Sequence, residues 1–120
     1  MPDQQTYHGS CHCGAVRYEA KSDPITQAMS CNCSMCRRKG TLLAFIPAAD
    51  FTLETGESAL ADYQFNRQMI HHLFCRTCGV TSFARGVMPD GTPMVALNVR
   101  CIDEIDPETL TINRVDGKSF

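Results

Sequence analysis

The stretch Phe74-Cys75-Arg76-Thr77-Cys78-Gly79-Val80 decides the fold. C-x-x-C-G after an apolar strand is a knuckle turn. Its two thiolates converge on one metal ion, and Gly79 allows the tight backbone bend behind them. A knuckle supplies two ligands, whereas a structural zinc takes four. The second pair must come from elsewhere. Gly9-Ser10-Cys11-His12-Cys13-Gly14-Ala15-Val16 carries two more thiols with a glycine beside them. Thiols in a C-x-C pair are poorly placed to bond to each other, so Cys11 and Cys13 are the natural donors. A zinc held by Cys11, Cys13, Cys75 and Cys78 staples the first strand to the middle of the sheet. Such a site has no open position and contributes to folding rather than chemistry. The competing reading is a redox-active Cys75/Cys78 pair, which lacks the βαβ surroundings of that motif.

Outward from these clusters the chain reads as mostly β. Ala15 to Ala20 alternates, with Val16 and Tyr18 on one face and Arg17 and Glu19 on the other. Thr41 to Ile46 is an apolar run stopped by Pro47. Phe51 to Glu54, Leu60 to Asn66, Met69 to Phe74, Val80 to Arg85 and Met94 to Arg100 also read as short strands. Met88 to Met94 holds Pro-Asp-Gly, a turn signal. Only Asp106 to Leu110 reads as a helical turn, with Asp106 as cap and Pro107 at the first position. Short strands at even spacing point to a mainly β, antiparallel-sheet domain, with nothing suggesting parallel βαβ units.

A chain of 120 residues is one domain, 1–120, by size. The net charge is −2, and the eleven Lys and Arg are scattered apart from Arg37-Arg38-Lys39. Nucleic-acid binding through a basic face is therefore not expected. Met1 to Gln5 is polar, with no apolar segment behind it, and no apolar run is long enough to span a bilayer. The expected location is cytoplasmic. Eight cysteines in a reducing compartment point to metal or redox chemistry rather than a disulfide framework.

The middle cluster, Cys31-Asn32-Cys33-Ser34-Met35-Cys36, supplies three thiolates from six residues. Three protein ligands and one free position make a catalytic zinc. The alternative is a second closed site, completed by His8, His12, His71, His72 or Cys101. Spacing leaves the two open. Arg37, Arg38 and Lys39 follow at once; their charge favours thiolates and an anionic substrate, or they form a solvated loop. His71 and His72 fall on a strand, so one faces in and one out. His8 is a candidate second-layer donor to the first thiol pair. Cys101 ends an apolar strand and reads as a small buried hydrophobe, or as a nucleophile activated by Arg100.

The whole pattern, within residues 9–103, resembles the glutathione-dependent formaldehyde-activating enzyme family, which includes centromere protein V. The motifs that carry the resemblance are Gly9 to Ala20, Cys31 to Arg38, His71 to Val80 and Leu97 to Asp103. It implies a β-tent built around a zinc-stapled sheet, and two zincs per chain. The structural zinc would sit on Cys11, Cys13, Cys75 and Cys78. The second, more readily lost, would sit on Cys31, Cys33 and Cys36 with an open position. The implied activity is that of a zinc-dependent carbon-sulfur lyase resembling S-(hydroxymethyl)glutathione synthase, which joins glutathione to formaldehyde. A small thiol such as glutathione and a small aldehyde would be its partners. Arg37 and Arg38 are candidates for pairing with glutathione carboxylates. The alternatives are a non-catalytic zinc module that binds glutathione or a protein partner, and a thiol redox enzyme resembling methionine sulfoxide reductase, acting through Cys101.

Overall fold

Val16, Tyr18 and Ala20 alternate with Arg17 and Glu19, and the first three are wholly buried. That period-2 pattern builds the inner face of a small sheet. In the computed structural model, which describes residues 4–64 and 70–116, this sheet has three antiparallel strands. They are β1 (Gln5–Ser10), β2 (Arg17–Ser22) and, later in the chain, β5 (Phe51–Thr55), in the order β1-β2-β5.

The remaining strands form a second sheet. They are β3 (Gln27–Cys31), β4 (Leu43–Pro47), β6 (Leu60–Tyr63), β7 (His71–Cys75), β8 (Phe83–Val87), β9 (Pro93–Asn98) and β10 (Thr111–Val115). Their order is β10-β3-β4-β9-β8-β7-β6. Every pairing is antiparallel except β10 with β3, which runs parallel from Thr111↔Gln27 to Val115↔Cys31. Among the described residues no helix is long and apolar enough to cross a membrane.

The two sheets meet over aromatic rings. Tyr18 lies 5.0 Å from Phe51 and 5.7 Å, edge-on, from Phe83, while Phe51 and Phe83 are 4.7 Å apart between centroids. Each such pair adds about 0.5–1.5 kcal/mol beyond area burial. The Tyr18 hydroxyl, which would be costly to bury unpaired, donates to the Ser82 carbonyl at 3.1 Å. Its ring crosses Gly9 so closely that a Cβ there would stand 2.1 Å from Tyr18 Cζ. Only glycine fits at that crossing.

Several expectations change. Among the described residues one α-helix exists, α1 (Ser34–Lys39), in the cysteine cluster where none was expected. It has no buried residue and hence no apolar stripe to announce it. Asp106 to Leu110 does hold the expected turn, a 3₁₀ helix at Pro107–Thr109 capped by the Asp106 side chain. The last apolar strand stops at Asn98, whose side chain accepts from the Arg100 N–H and turns Val99–Cys101 into a 3₁₀ helix. Cys101 is thus on a turn, not a strand end. The strands β1, β3 and β10 were not anticipated, and the β3/β10 pair corrects the all-antiparallel expectation. The strand expected over Leu60 to Asn66 ends at Tyr63. Phe65 and Asn66, and Met69 of the next expected strand, lie outside the described residues.

Candidate functional site: two thiol clusters

Cys75 is the last residue of β7, where the chain leaves the sheet. The knuckle is closed by Gly79 N–H donating to the Cys75 carbonyl at 2.8 Å and Cys75 N–H to Val80 at 3.1 Å. Gly79 has φ +80°, a left-handed conformation that other residues adopt at a cost. Cys11 sits in a matching loop after β1. Its N–H donates to the Val16 carbonyl at 3.0 Å, and the Val16 N–H donates to Cys11 Sγ at 3.3 Å. Thr77 N–H does the same for Cys75 Sγ at 3.3 Å. These N–H groups point at sulfurs that carry negative charge when deprotonated.

The two loops bring four sulfurs together. Cys13 Sγ lies 3.6 Å from both Cys11 Sγ and Cys75 Sγ. All four Sγ atoms, of Cys11, Cys13, Cys75 and Cys78, are within 4.8 Å of one another. A tetrahedral zinc with Zn–S of about 2.3 Å has S···S edges of about 3.8 Å, so the donor set fits that metal. Backbone N–H groups of Cys13 and Val80 pull the Cys78 thiol down to about 6, favouring the thiolate.

The second cluster uses two elements in sequence, β3 and α1. Cys31 ends β3, Cys33 caps α1, and Cys36 lies within the helix. The Cys33 N–H faces Cys31 Sγ at 3.5 Å, and the Cys36 N–H donates to Cys33 Sγ at 3.3 Å. The three sulfurs lie within 4.8 Å of one another, half-buried. Among the described residues no further His, Cys, Asp or Glu joins them at that distance. Burial pushes Cys33 up, but hydrogen bonds from the Cys36 and Met35 N–H groups and from the Cys36 and Cys31 thiols together outweigh it, and the thiol titrates below its ordinary value. Cys36 goes the other way, pushed up to about 12 by burial and the adjacent Cys33 thiol. Three thiolates this close need a cation between them, which again fits a metal.

The side chains offered as a fourth ligand sit elsewhere. His8 Nδ1 pairs with Glu104 at 2.5 Å, and His71 Nδ1 with Asp62 at 2.6 Å. His8 is thereby a clip between β1 and the Ile102 turn. His12 is exposed. His71 is exposed and His72 half-buried, the in-and-out arrangement expected of strand neighbours. Cys101 Sγ donates to the Thr81 carbonyl at 3.7 Å and faces Asn98 Nδ2 at 3.7 Å. Burial raises its thiol to about 11, while the Arg100 guanidinium turns to the Gly40 carbonyl at 3.2 Å. An activated nucleophile at Cys101 is not what this environment makes.

Arg37 and Arg38 are exposed in the last turn of α1, where cations suit the helix dipole, and Arg38 Nη1 donates to the Ser34 carbonyl at 3.0 Å. One residue at this site, Thr41, escaped sequence reasoning, and Lys39 was expected only as one of three cations beside the cluster. The buried Thr41 hydroxyl bonds Cys36 and favours its thiolate. Lys39 is half-buried, with Nζ 2.7 Å from Thr81 Oγ1 and 5.6 Å from the Phe74 ring centroid. The signal available for Lys39 was its spacing from Cys36. Residues three apart share a helix face, provided the helix is foreseen.

A crystal structure of a Rhodobacter sphaeroides protein superposes with a TM-score of 0.76 at 30% identity, covering 88% of this chain and 99% of that one. The family profile described as glutathione-dependent formaldehyde-activating enzyme matches residues 6–114, a span that contains both thiol clusters and all ten strands but the start of β1 and the end of β10. The chain belongs to the glutathione-dependent formaldehyde-activating enzyme family.

Proposed function

We propose that the protein is a zinc-dependent carbon-sulfur lyase that joins a small thiol, glutathione or a close relative, to a small aldehyde such as formaldehyde. The observation that carries this reading is the convergence of Cys31, Cys33 and Cys36 with no fourth ligand beside them among the described residues. The four-cysteine cluster would hold a structural zinc and staple the three-stranded sheet to the end of β7, as in a zinc-stapled β-tent.

At the second cluster, Cys31, Cys33 and Cys36 would hold a zinc and leave one position for the incoming sulfur. The chemistry a zinc supplies there is to keep a thiol ionised near neutral pH. The Thr41 hydroxyl fixes Cys36, as partners behind metal ligands commonly do. Arg37 and Arg38 at the exposed end of α1 would meet the carboxylates of glutathione. The aldehyde carbon then lies next to a held, ionised sulfur, so a bimolecular encounter becomes an oriented one.

The experiment is zinc per chain in anaerobically purified wild type and Cys33→Ser, followed by glutathione titration watched at the zinc X-ray absorption edge. Two zincs in wild type, one in a folded Cys33→Ser, and a sulfur added to the second shell by glutathione support the lyase. A shell already complete, unchanged by glutathione, makes the protein a non-catalytic zinc module.

A further inference from the structure

Three cations end α1, and one of them turns inward. Cys36 and Lys39 are three residues apart and share a helix face. Arg37 and Arg38 are exposed, whereas Lys39 is half-buried. Its amine is pinned from one side by Thr81 Oγ1 at 2.7 Å and the Phe74 ring at 5.6 Å. An ammonium has three N–H donors, and Thr81 engages one of them. The amine therefore lies between α1, Phe74 of β7 and Thr81, on the helix face that also carries Cys36. A cation held there, with donors to spare, is placed to receive a negative charge close to a bound sulfur.

We propose that the Lys39 ammonium binds an anionic oxygen carried one or two carbons away from the sulfur of a thiol held at Cys31, Cys33 and Cys36. In the lyase reaction, on which this assignment rests for its substrate, that oxygen is the former aldehyde oxygen. The thiolate sulfur donates an electron pair to the carbonyl carbon, the S–C bond forms, and the C=O π pair moves to oxygen. Lys39 donates a hydrogen bond to the resulting alkoxide. Solvent then protonates the alkoxide, balancing the proton the thiol released earlier, and the hydroxymethyl thioether leaves. In the reverse direction Lys39 holds the same alkoxide while the S–C bond breaks and the pair returns to sulfur.

The test uses zinc-loaded wild type, Lys39→Met and Lys39→Arg. Two probe thiols are titrated by calorimetry: mercaptoacetate, whose carboxylate adjoins the sulfur-bearing carbon, and ethanethiol, which has no oxygen. Turnover of glutathione with formaldehyde is measured in parallel. The expected result is that Lys39→Met weakens mercaptoacetate by ~10-fold or more, the loss of a charge-assisted bond. Ethanethiol affinity and zinc content stay unchanged, and Lys39→Arg keeps most of the mercaptoacetate affinity. kcat for Lys39→Met should fall ~10²- to 10³-fold with little change in KM for glutathione. Equal binding of both thiols by wild type and Lys39→Met overturns the assignment, as does loss of the second zinc from both variants. The two readings fail separately. A wild type that discriminates mercaptoacetate through Lys39 but does not turn over sinks the lyase and keeps the anion site. An active enzyme indifferent to Lys39→Met does the reverse.

Discussion

Lys39 Nζ donates to Thr81 Oγ1 at 2.7 Å, joining the helix of the three-thiol cluster to the loop that leaves the Cys75/Cys78 knuckle. The other face of Thr81 is equally engaged: its carbonyl accepts from Asn98 Nδ2 at 2.8 Å and from Cys101. One residue thus braces both clusters against the turn after β9. Asn98 extends the brace by accepting from the N–H groups of Leu42 and Arg100.

Thr81→Val tests the side-chain half of that brace alone. The backbone carbonyl contacts survive, while the bond to Lys39 is lost. The expected destabilisation is about 1 kcal/mol, because Lys39 is only half-buried and water recovers part of the interaction. Urea unfolding with an unchanged m-value would register it. A loss several times larger would mean that the hydroxyl supports more than Lys39.

Cys75→Ser should be far more severe. Cys75 is wholly buried, and its sulfur stands 3.6 Å from Cys13 Sγ. If the four thiols hold zinc, metal-binding free energy is folding free energy. The variant is expected to lose that zinc and its β-sheet circular dichroism together, as wild type should under a strong chelator. A folded, zinc-free Cys75→Ser would remove the staple from the account.

These sites differ in how legible they were. The knuckle was plain because C-x-x-C-G encodes its own geometry: two ligands, and a glycine that takes φ +80°. The alternation at Val16, Tyr18 and Ala20 was equally plain because one face is wholly buried. Helix α1 was hidden because it buries nothing and is capped by a cysteine rather than by Ser, Thr, Asp or Asn. Missing it concealed the shared face of Cys36 and Lys39, and so which cation of the Arg37-Arg38-Lys39 run turns inward. The parallel β3/β10 pair joins segments from opposite ends of the chain, and neither strand shows a clean apolar alternation. Pairing over such a separation is a tertiary outcome that local pattern does not encode.

The clip between His8 and Glu104 predicts a pH dependence. Hydrogen bonding to Glu104 raises His8 above its ordinary 6.5. For Glu104, burial alone would push upward, but the bonds from His8 hold it below its ordinary 4.5. A raised histidine contributes stability that is fully present below 6.5 and lost as pH rises through the folded value. A depressed carboxyl contributes stability that is present above 4.5 and lost as pH falls through its folded value. The clip is therefore strongest between 4.5 and 6.5. Wild type minus His8→Gln, compared by thermal unfolding across pH, should show its largest gap in that window and a shrinking gap above it. A gap that grows toward alkaline pH would refute the pairing.

Thr41→Val probes the second cluster without touching a ligand. Its hydroxyl bonds Cys36 and favours the thiolate, and the residue is buried at the end of the loop after Gly40. Loss of such a partner behind a metal ligand commonly lowers affinity by about 10- to 100-fold. Competition with a chromophoric chelator should show one zinc released earlier than in wild type and the other unchanged. Equal release of both would place the effect in folding rather than at Cys36.

Gly9→Ala tests the contact that fixes how β1 lies on β2. The new Cβ would stand 2.1 Å from Tyr18 Cζ and 2.4 Å from its hydroxyl oxygen. Tyr18 cannot simply swing away, since its ring packs on Phe51 and Phe83 and its hydroxyl holds the Ser82 carbonyl. Overpacking of this kind costs about 1–3 kcal/mol. A double-mutant cycle separates steric overlap from a backbone effect. Gly9 pairs in extended conformation with Tyr18 across the strands, so its backbone suits alanine. Gly9→Ala should then be nearly neutral in a Tyr18→Leu background, giving a coupling close to the whole single-mutant loss. If the loss persists undiminished in that background, glycine is needed for the backbone of β1 and not for the ring that crosses it.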